Sequence, residues 1–324
     1  MKTTSTETAS KMPPRLAVII PCYNEEDILA ETHDVVVKCL RQLINAGKTD
    51  RESFICFVDD GSSDKTWDLI EGFTGDGMVR GIKLSSNFGH QNALLAGLMT
   101  MKDSADCFVT MDADLQDDAS AIDLMIDKYL EGNMIVYGVR DNRSSDSILK
   151  RSSAGIFYRL MNRIGVRTVY NHADFRLADR RVIDCLAGYR EVNLFLRGIF
   201  PLMGFRSDQV SYIRKSRTGG RSKYPLQKMA GFAWQGITSF NTSLLRIVTA
   251  TGILMFILAL VTAIWALITY FSGKSIQGWT SILLIISAFS GINMISLGLI
   301  GEYVGKIYLE VKQRPRYHIE KMKL

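Results

Sequence analysis

A short acidic stretch, residues 111–117, carries the most distinctive chemistry in this chain. It follows the apolar, β-prone run 107–110, so it should begin where a buried strand ends. Asp112 and Asp114 supply two carboxylates, and Gln116 adds an amide oxygen. Mg²⁺ and Mn²⁺ usually take one or two carboxylates and complete their coordination shell with water and substrate phosphates. The stretch therefore predicts a divalent-metal site in a loop.

The start of a helix is the other interpretation of this stretch. Asp117 and Asp118 suit a helix cap and a first turn, because a helix N-terminus favours side-chain acceptors and negative charge. This interpretation does not explain Asp112 and Asp114, which precede the helix. Both features are compatible with one metal-binding loop that leads into a helix.

The elements around this loop alternate between strand and helix. Apolar runs predict strands at about 15–20, 54–58, 79–84, 107–110 and 134–138. Helical patterns separate them and continue at about 119–131 and 147–164. The alternation predicts an α/β fold with a mostly parallel sheet and helices on both faces. Ligands of such sheets bind at the carboxyl ends of the strands. The polar loops 21–26, 59–64 and 112–117 should therefore converge.

The composition excludes several classes of protein. The chain has 324 residues, 47% of them hydrophobic, and a formal net charge of +6. This charge suits nucleotides, phosphates or an anionic membrane, but no basic arm or familiar motif predicts a nucleic-acid partner. The five cysteines are scattered and none is spaced as CxxC, which predicts reduced thiols in the cytosol. P-loop, GxGxxG and GxSxG motifs are absent from the sequence.

Three motifs in order, PCYNEE, VDDGSSD and DADLQ, resemble those of family 2 glycosyltransferases with the GT-A fold. Within that family the chain is similar to the polyprenyl-phosphate glycosyltransferases, the group of dolichol-phosphate mannose synthase and bactoprenol glucosyltransferase. The resemblance covers roughly residues 15–320. It implies a GT-A-like sheet and a reaction in which a sugar leaves a nucleotide.

The resemblance also implies roles for the residues of these motifs. The nucleotide pocket would be lined by Pro21, Tyr23 and Glu25, with Asp59 on the base, Asp60 nearby and Asp112 at the diphosphate. The metal, Mg²⁺ or Mn²⁺, would be held by Asp112, Asp114 and Gln116. This assignment is physically reasonable, because the leaving nucleoside diphosphate gains charge as the glycosidic bond breaks and a cation stabilises that charge.

Basic residues are concentrated in the second half of the predicted domain. By resemblance, the lipid phosphate would be bound by Arg140, Lys150, Arg151 and Arg176. The segment 217–223 matches an RxxGxSK pattern, and its Arg217 and Lys223 would close over the active site as catalytic residues alongside Asp114. A solvated basic face is the alternative for each of these residues.

Asp174 lies in a DFRL segment, and the resemblance makes it the usual candidate for a catalytic base. A lipid monophosphate has a second pKa near ~6, so most of it is already dianionic in the cytosol. We therefore expect Asp174 to position the acceptor sugar or an arginine, with proton removal secondary. A plain salt bridge to Arg176 or to a neighbour is the alternative.

The last hundred residues have the composition of a membrane anchor. Runs 247–273 and 275–301 contain no charged residue, and each exceeds the ~20 residues that span a bilayer. Five regions are predicted: a tail at 1–14, the catalytic domain at 15–224, an interfacial amphipathic helix at 225–243, two transmembrane helices at 244–303 and a tail at 304–324.

Charges flanking these runs predict the orientation in the membrane. Arg246 precedes the first run, and Lys306, Lys312, Arg314 and Arg316 follow the second, so both termini and the catalytic domain should be cytosolic, at a bacterial inner membrane. Gly298, Gly301 and Gly305 lie on one helical face, which predicts close packing or a homo-oligomer; some members of the group are tetramers.

The sequence thus predicts an inverting transfer of a sugar to polyprenyl phosphate, the product serving cell-envelope glycosylation such as that of lipopolysaccharide. UDP-glucose and undecaprenyl phosphate are the preferred substrates, and a flippase is a candidate partner. The alternatives are another donor, GDP-mannose or a UDP-aminosugar, and a catalytically silent membrane scaffold. A processive polysaccharide synthase is disfavoured, because no QxxRW motif follows the acceptor region.

Overall fold

The computed structural model describes residues 12–140, 172–191, 196–213 and 279–324, and isolated helical positions between 248 and 264. The predicted helix 147–164 and the predicted interfacial helix 225–243 lie outside the described residues.

The observed strands and helices largely follow the predicted order. Their bounds are β1 Leu16–Cys22, α1 Leu29–Asn45, β2 Phe54–Asp59, α2 Thr66–Phe73, a 3-10 turn Thr74–Asp76, β3 Val79–Leu84, α3 His90–Met101, β4 Cys107–Thr110, α4 Ala121–Leu130, β5 Ile135–Arg140, β6 His172–Asp179, α5 Arg180–Ala187, α6 Leu196–Leu202, β7 Ser207–Tyr212, α7 Trp279–Lys312 and β8 Ile319–Lys323.

One eight-stranded sheet runs in the order β7-β5-β6-β4-β1-β2-β3-β8. The pairs β1–β2, β1–β4, β2–β3 and β5–β7 are parallel. Strand β6 is antiparallel to both β4 and β5, and β8 is antiparallel to β3. The α/β prediction is confirmed, whereas the sheet is mixed, because β6 and β8 run against their neighbours.

The central strands are buried on both faces. All residues of β1, β2 and β4 are buried, which explains why they form continuous apolar runs in the sequence. Helix α3 packs directly on this sheet, since a Cβ at Gly97 would lie 2.5 Å from the Ile19 Cγ2 methyl. This close approach holds the middle of α3 against β1 and β2.

The chain divides into two compact units. One contains the sheet, with Pro315–Leu324, and the other contains Tyr224–Arg314, so β8 belongs to the first unit and α7 to the second. The predicted second span, 275–301, overlaps most of α7. In the part of the chain described here, no helix reaches the length and apolarity of a membrane crossing.

Candidate active site

One edge of the sheet collects the predicted site residues. The carboxyl ends of β1, β2, β3, β4, β5 and β7 lie there, because these strands share one direction. Strand β6 runs the other way, so its amino end, which carries Asp174, reaches the same edge beside the end of β4. The three polar loops predicted to converge do lie at this edge.

Hydrogen bonds link the first two of these loops. The Asn24 backbone N–H donates to the Ser62 hydroxyl at 3.0 Å, and the Ser63 N–H donates to the Asn24 amide oxygen at 2.9 Å. Asn24 has a left-handed backbone with φ of 52°, a conformation that asparagine tolerates better than most residues. Of the residues predicted to line the nucleotide pocket, Tyr23 is exposed and Pro21 is buried within β1.

The two aspartates after β2 have different surroundings. Both carboxylate oxygens of Asp60 accept backbone N–H groups, from Phe88 at 2.8 Å and from Gly89 at 2.9 Å. Asp60 therefore holds the loop that leads into α3. One oxygen of Asp59 accepts the Ser62 N–H at 3.0 Å, and the other is buried and lacks a hydrogen bond within the described chain. Burial raises the pKa of both carboxyls, and their hydrogen bonds oppose this rise.

The acidic loop after β4 is tightly curled. Leu115 has a left-handed backbone with φ of 52°, which is costly for a branched side chain, and the Gln116 N–H donates to the Asp114 carboxylate at 3.2 Å. Asp112 Oδ1 is buried, and its nearest cation is His90 Nε2 at 3.4 Å, too poorly aligned for a hydrogen bond. Burial raises the pKa of Asp112, His90 opposes this, and Asp117 and Asp174 raise it further.

These surroundings fit a divalent cation. Two half-buried carboxylates and an amide share one loop, and one carboxylate oxygen is buried without a hydrogen-bond donor. Within the described residues, no three His, Cys, Asp or Glu side chains are grouped as a complete metal site. A site with two carboxylates would thus depend on Gln116, water and substrate phosphates for its other ligands.

Asp174 is buried at the centre of an ion cluster made with Arg176, Arg197 and His90. Arg176 Nη2 lies 2.5 Å from one carboxylate oxygen, and Arg197 Nη2 lies 2.8 Å from the other. His90 Nε2 is 3.7 Å away. Although burial alone would raise it, the two arginines and His90 hold the pKa of Asp174 well below its usual range. This low pKa makes the ionised carboxylate a weak proton acceptor, and its ion pairs fix the arrangement of the charges at this edge.

His90 connects the ion cluster to the acidic loop. It is the first residue of α3 and lies between Asp112 and Asp174. Burial lowers the pKa of His90, but the two carboxylates outweigh burial and raise it to about 8. No role is predicted for this histidine from the sequence, because it lacks metal-ligand spacing. One feature of the sequence could have identified His90: it directly follows a loop at the edge of the sheet where the carboxyl ends of the parallel strands lie.

The two arginines of the cluster differ in access to solvent. Arg176 is 1% exposed, donates to the Leu196 carbonyl at 3.3 Å and stacks on Phe200 with 4.5 Å between guanidinium carbon and ring centroid. Its observed partner is Asp174, as the alternative interpretation of the DFRL segment predicted. Arg197 is about half exposed and was missed, because nothing local marks it. Its pairing with Asp174 depends on a contact 23 positions along the chain.

Arg140 ends β5 at the same edge, close to the acidic loop. Its Nη2 lies 3.4 Å from the Asp117 carboxylate and its Nε donates to the Tyr212 hydroxyl at 3.1 Å. The remaining predicted residues lie outside the described ranges: Lys150, Arg151, Arg217 and Lys223. The structure thus brings together Asp112, Asp114, Gln116, Asp174 and Arg140, and adds His90, Arg197, Asp117 and Tyr212.

Comparison with known proteins identifies the family of this chain. The sequence model of glycosyl transferase family 2 matches residues 17–187, from β1 to the end of α5. The chain belongs to glycosyl transferase family 2. That match includes the acidic loop and the Asp174 ion cluster except Arg197.

Relatives of this family 2 protein extend the similarity over nearly the whole chain. An uncharacterized glycosyltransferase of Bacillus subtilis, YkoT, is 47% identical over 95% of this chain and 91% of its own length. The SfII prophage-derived bactoprenol glucosyl transferase of Shigella flexneri is 36% identical over 95% of this chain and 98% of its own length. Among solved structures, mannosyl-3-phosphoglycerate synthase from Rubrobacter xylanophilus has 14% identity and a TM-score of 0.47 over 74% of this chain and 75% of that chain.

Proposed function

We propose that this protein transfers a sugar from a nucleotide to a polyprenyl phosphate. The observation that carries the proposal is the meeting of an acidic loop with Arg140, Arg197 and His90 at one edge of the sheet. A nucleoside diphosphate needs a cation between itself and aspartates, and a second phosphate needs cationic side chains. The Shigella flexneri relative, whose name is bactoprenol glucosyl transferase, supports a lipid carrier as acceptor.

The proposed reaction is a single displacement. An oxygen of the lipid phosphate attacks the anomeric carbon as the bond from that carbon to the diphosphate oxygen breaks, which inverts the anomeric configuration. Asp112, Asp114 and Gln116 would hold a divalent metal ion, which supplies charge stabilisation for the leaving diphosphate. The acceptor phosphate is mostly dianionic near neutral pH, its second pKa being ~6, so Asp174 orients arginines and need not remove a proton.

The preferred donor is UDP-glucose and the preferred acceptor is undecaprenyl phosphate. Glucose as the sugar is supported by the name of the Shigella flexneri relative, bactoprenol glucosyl transferase. Asp59 carries a buried oxygen without a hydrogen bond in the described chain, which supports a role beside the base. GDP-mannose or a UDP-aminosugar would use the same diphosphate chemistry. Each is therefore an outcome of the substrate test below.

We also propose that residues 244–303 anchor the protein in a bacterial inner membrane, with the catalytic domain and both termini in the cytosol. The uncharged runs and the flanking basic residues support this orientation. Large apolar side chains of α7 are exposed, among them Met294 at 70% and Ile295 at 72%, as a lipid-facing helix requires. A homo-oligomer would use the face of Gly298, and a flippase would accept the product.

The test measures transfer of labelled sugar into lipid. Purified full-length protein in detergent receives Mn²⁺ or Mg²⁺, undecaprenyl phosphate and one radiolabelled nucleotide sugar at a time. We expect label in the organic phase from one donor, and loss of that label with EDTA or in Asp114→Ala. Asp103→Ala is the matched control and should retain transfer, because this exposed aspartate precedes β4 and so lies at the end of that strand opposite to the acidic loop. UDP binding without transfer from any donor would favour the scaffold alternative.

A further inference from the structure

Three polar side chains form a closed hydrogen-bonded ring beside the acidic loop. One oxygen of the Asp117 carboxylate accepts the Tyr212 hydroxyl and lies 3.4 Å from Arg140 Nη2. The Tyr212 oxygen accepts Arg140 Nε at 3.1 Å. Arg140 and Tyr212 are also Cα partners at the ends of the parallel strands β5 and β7. Each member of the ring therefore touches the other two.

Burial makes this ring rigid around the arginine. Asp117 is 2% exposed and Tyr212 is 4% exposed, whereas a quarter of the Arg140 side chain remains in contact with solvent. The Tyr212 ring is held edge-on against Phe175, with 5.3 Å between centroids. Burial and the neighbouring Asp117 carboxylate raise the pKa of the Tyr212 phenol, so it keeps its proton and donates. The partly exposed guanidinium is thus fixed by two buried partners.

The ring joins two parts of the active-site edge. Asp117 belongs to the same loop as Asp112 and Asp114, while Arg140 ends a strand two places away in the sheet. The loop that would hold the metal therefore also sets the direction of the arginine. An arginine whose Nε group is already hydrogen-bonded binds an anion more favourably than a mobile arginine does, because it loses less side-chain freedom on binding.

We propose that Asp117 and Tyr212 are positioning residues that hold Arg140 as the anchor for the acceptor's phosphate monoester. This inference rests on the proposed function for the identity of the acceptor. A ring that served only the fold would leave phosphate binding unchanged once the protein is folded. A ring that orients Arg140 affects acceptor binding and leaves nucleotide binding intact. The two roles differ in a measurable way.

The experiment compares Tyr212→Phe with Tyr129→Phe in the full-length protein. Tyr129 is a matched control, because its hydroxyl also donates to an aspartate, Asp179, at 3.1 Å, away from the acidic loop. Binding of undecaprenyl phosphate and of UDP is measured separately, with undecaprenol, which lacks phosphate, and inorganic phosphate as further probes. We expect Tyr212→Phe to bind undecaprenyl phosphate about tenfold more weakly, the loss of roughly one hydrogen bond to a charged group. UDP binding should not change, and neither affinity should change in Tyr129→Phe.

A double substitution separates positioning from a general structural defect. In an Arg140→Ala background, adding Tyr212→Phe should weaken lipid-phosphate binding less than twofold, because the group being positioned is already absent. Equal losses in both backgrounds, or a parallel loss of UDP binding, would overturn the proposal. Undecaprenol should bind equally to the wild type and to Tyr212→Phe, since it lacks the phosphate. If inorganic phosphate binds as tightly as undecaprenyl phosphate and shows the same dependence on Tyr212, free phosphate is the ligand of Arg140 and the lipid assignment is wrong.

The outcomes also distinguish this inference from the proposed reaction. Transfer by the wild type, combined with unchanged lipid-phosphate affinity in Tyr212→Phe, refutes the positioning role and leaves the reaction standing. Lipid-phosphate binding that depends on Tyr212, without transfer from any donor, supports the positioning role and refutes the reaction. A wild-type protein that does not bind undecaprenyl phosphate refutes both.

Discussion

Replacing Asp174 by asparagine should destabilise this protein more than any other single change in its ion cluster. The carboxylate is buried between Arg176 and Arg197, and Arg176 itself is 1% exposed. Asp174→Asn keeps the shape but leaves the Arg176 guanidinium buried without a counter-charge. Breaking a buried ion pair in this way costs about 3–5 kcal/mol. At 2–4 °C per kcal/mol, the melting temperature should fall by about 6–20 °C.

The reverse substitution provides the comparison that tests this reasoning. Arg176→Met removes the buried cation, but Asp174 still has Arg197 at 2.8 Å and His90 at 3.7 Å. The expected loss is on the order of 1–3 kcal/mol, the value of a hydrogen bond to a charged group. The double variant Asp174→Asn with Arg176→Met should be more stable than Asp174→Asn alone, because it no longer buries an unpaired charge.

Thermal unfolding of the purified full-length proteins in one detergent, followed by intrinsic fluorescence, measures all three variants. The measurement is made near pH 6.5 with EDTA, where Asp174 and His90 are both charged. A depressed pKa means that the stability from Asp174 is present above its unfolded pKa, about 3.9, and is lost only as the pH falls through the lower folded value. If Arg176→Met melts at or below the temperature of Asp174→Asn, the cluster is not organised around a buried Arg176 charge and the reasoning is refuted.

Three further predictions concern the same edge of the sheet. Asp174→Asn should lower transfer without rescue as the pH is raised to about 9, because the low pKa of Asp174 makes it a weak base whose loss is a loss of positioning; recovery at high pH would identify a base. In EDTA, the difference in melting temperature between the wild type and His90→Gln should be largest below pH ~6.5, the ordinary pKa of histidine. It should shrink as the pH rises through about 8, because the protonated form of His90 is the one that the fold stabilises. A difference that grows with pH would contradict this. Gly61→Ala should destabilise the protein more than Gly47→Ala does, as measured by thermal unfolding. Both glycines have positive φ, which costs an alanine about 1–2 kcal/mol, but a Cβ at Gly61 would also overlap the Ser86 backbone, whereas Gly47 faces open space. Equal losses of stability in the two variants would count against the close approach at Gly61.

Local pattern in the sequence was enough to predict the framework of the site. The strands before Asp59 and Asp112 are buried on both faces, so they appear as apolar runs that end in polar loops. Parallel strands bring their carboxyl ends to one edge, and this geometric rule placed the loops together before any contact was known. Residues whose role depends on position along a strand were predictable for this reason.

Only the tertiary structure decided which charges meet at that edge. Strand β6 inserts antiparallel between β4 and β5, and this places Asp174 within reach of His90, more than eighty positions earlier in the chain, and of Arg197. The pairing of Asp117 with Tyr212 likewise spans 95 positions. A hydrophobic period of two or 3.6 residues carries no information about such contacts, because they depend on strand order and direction. The sequence determined the acidic loop and the edge on which it lies, while the fold decided that Asp174 is held as an ionised carboxylate between two arginines.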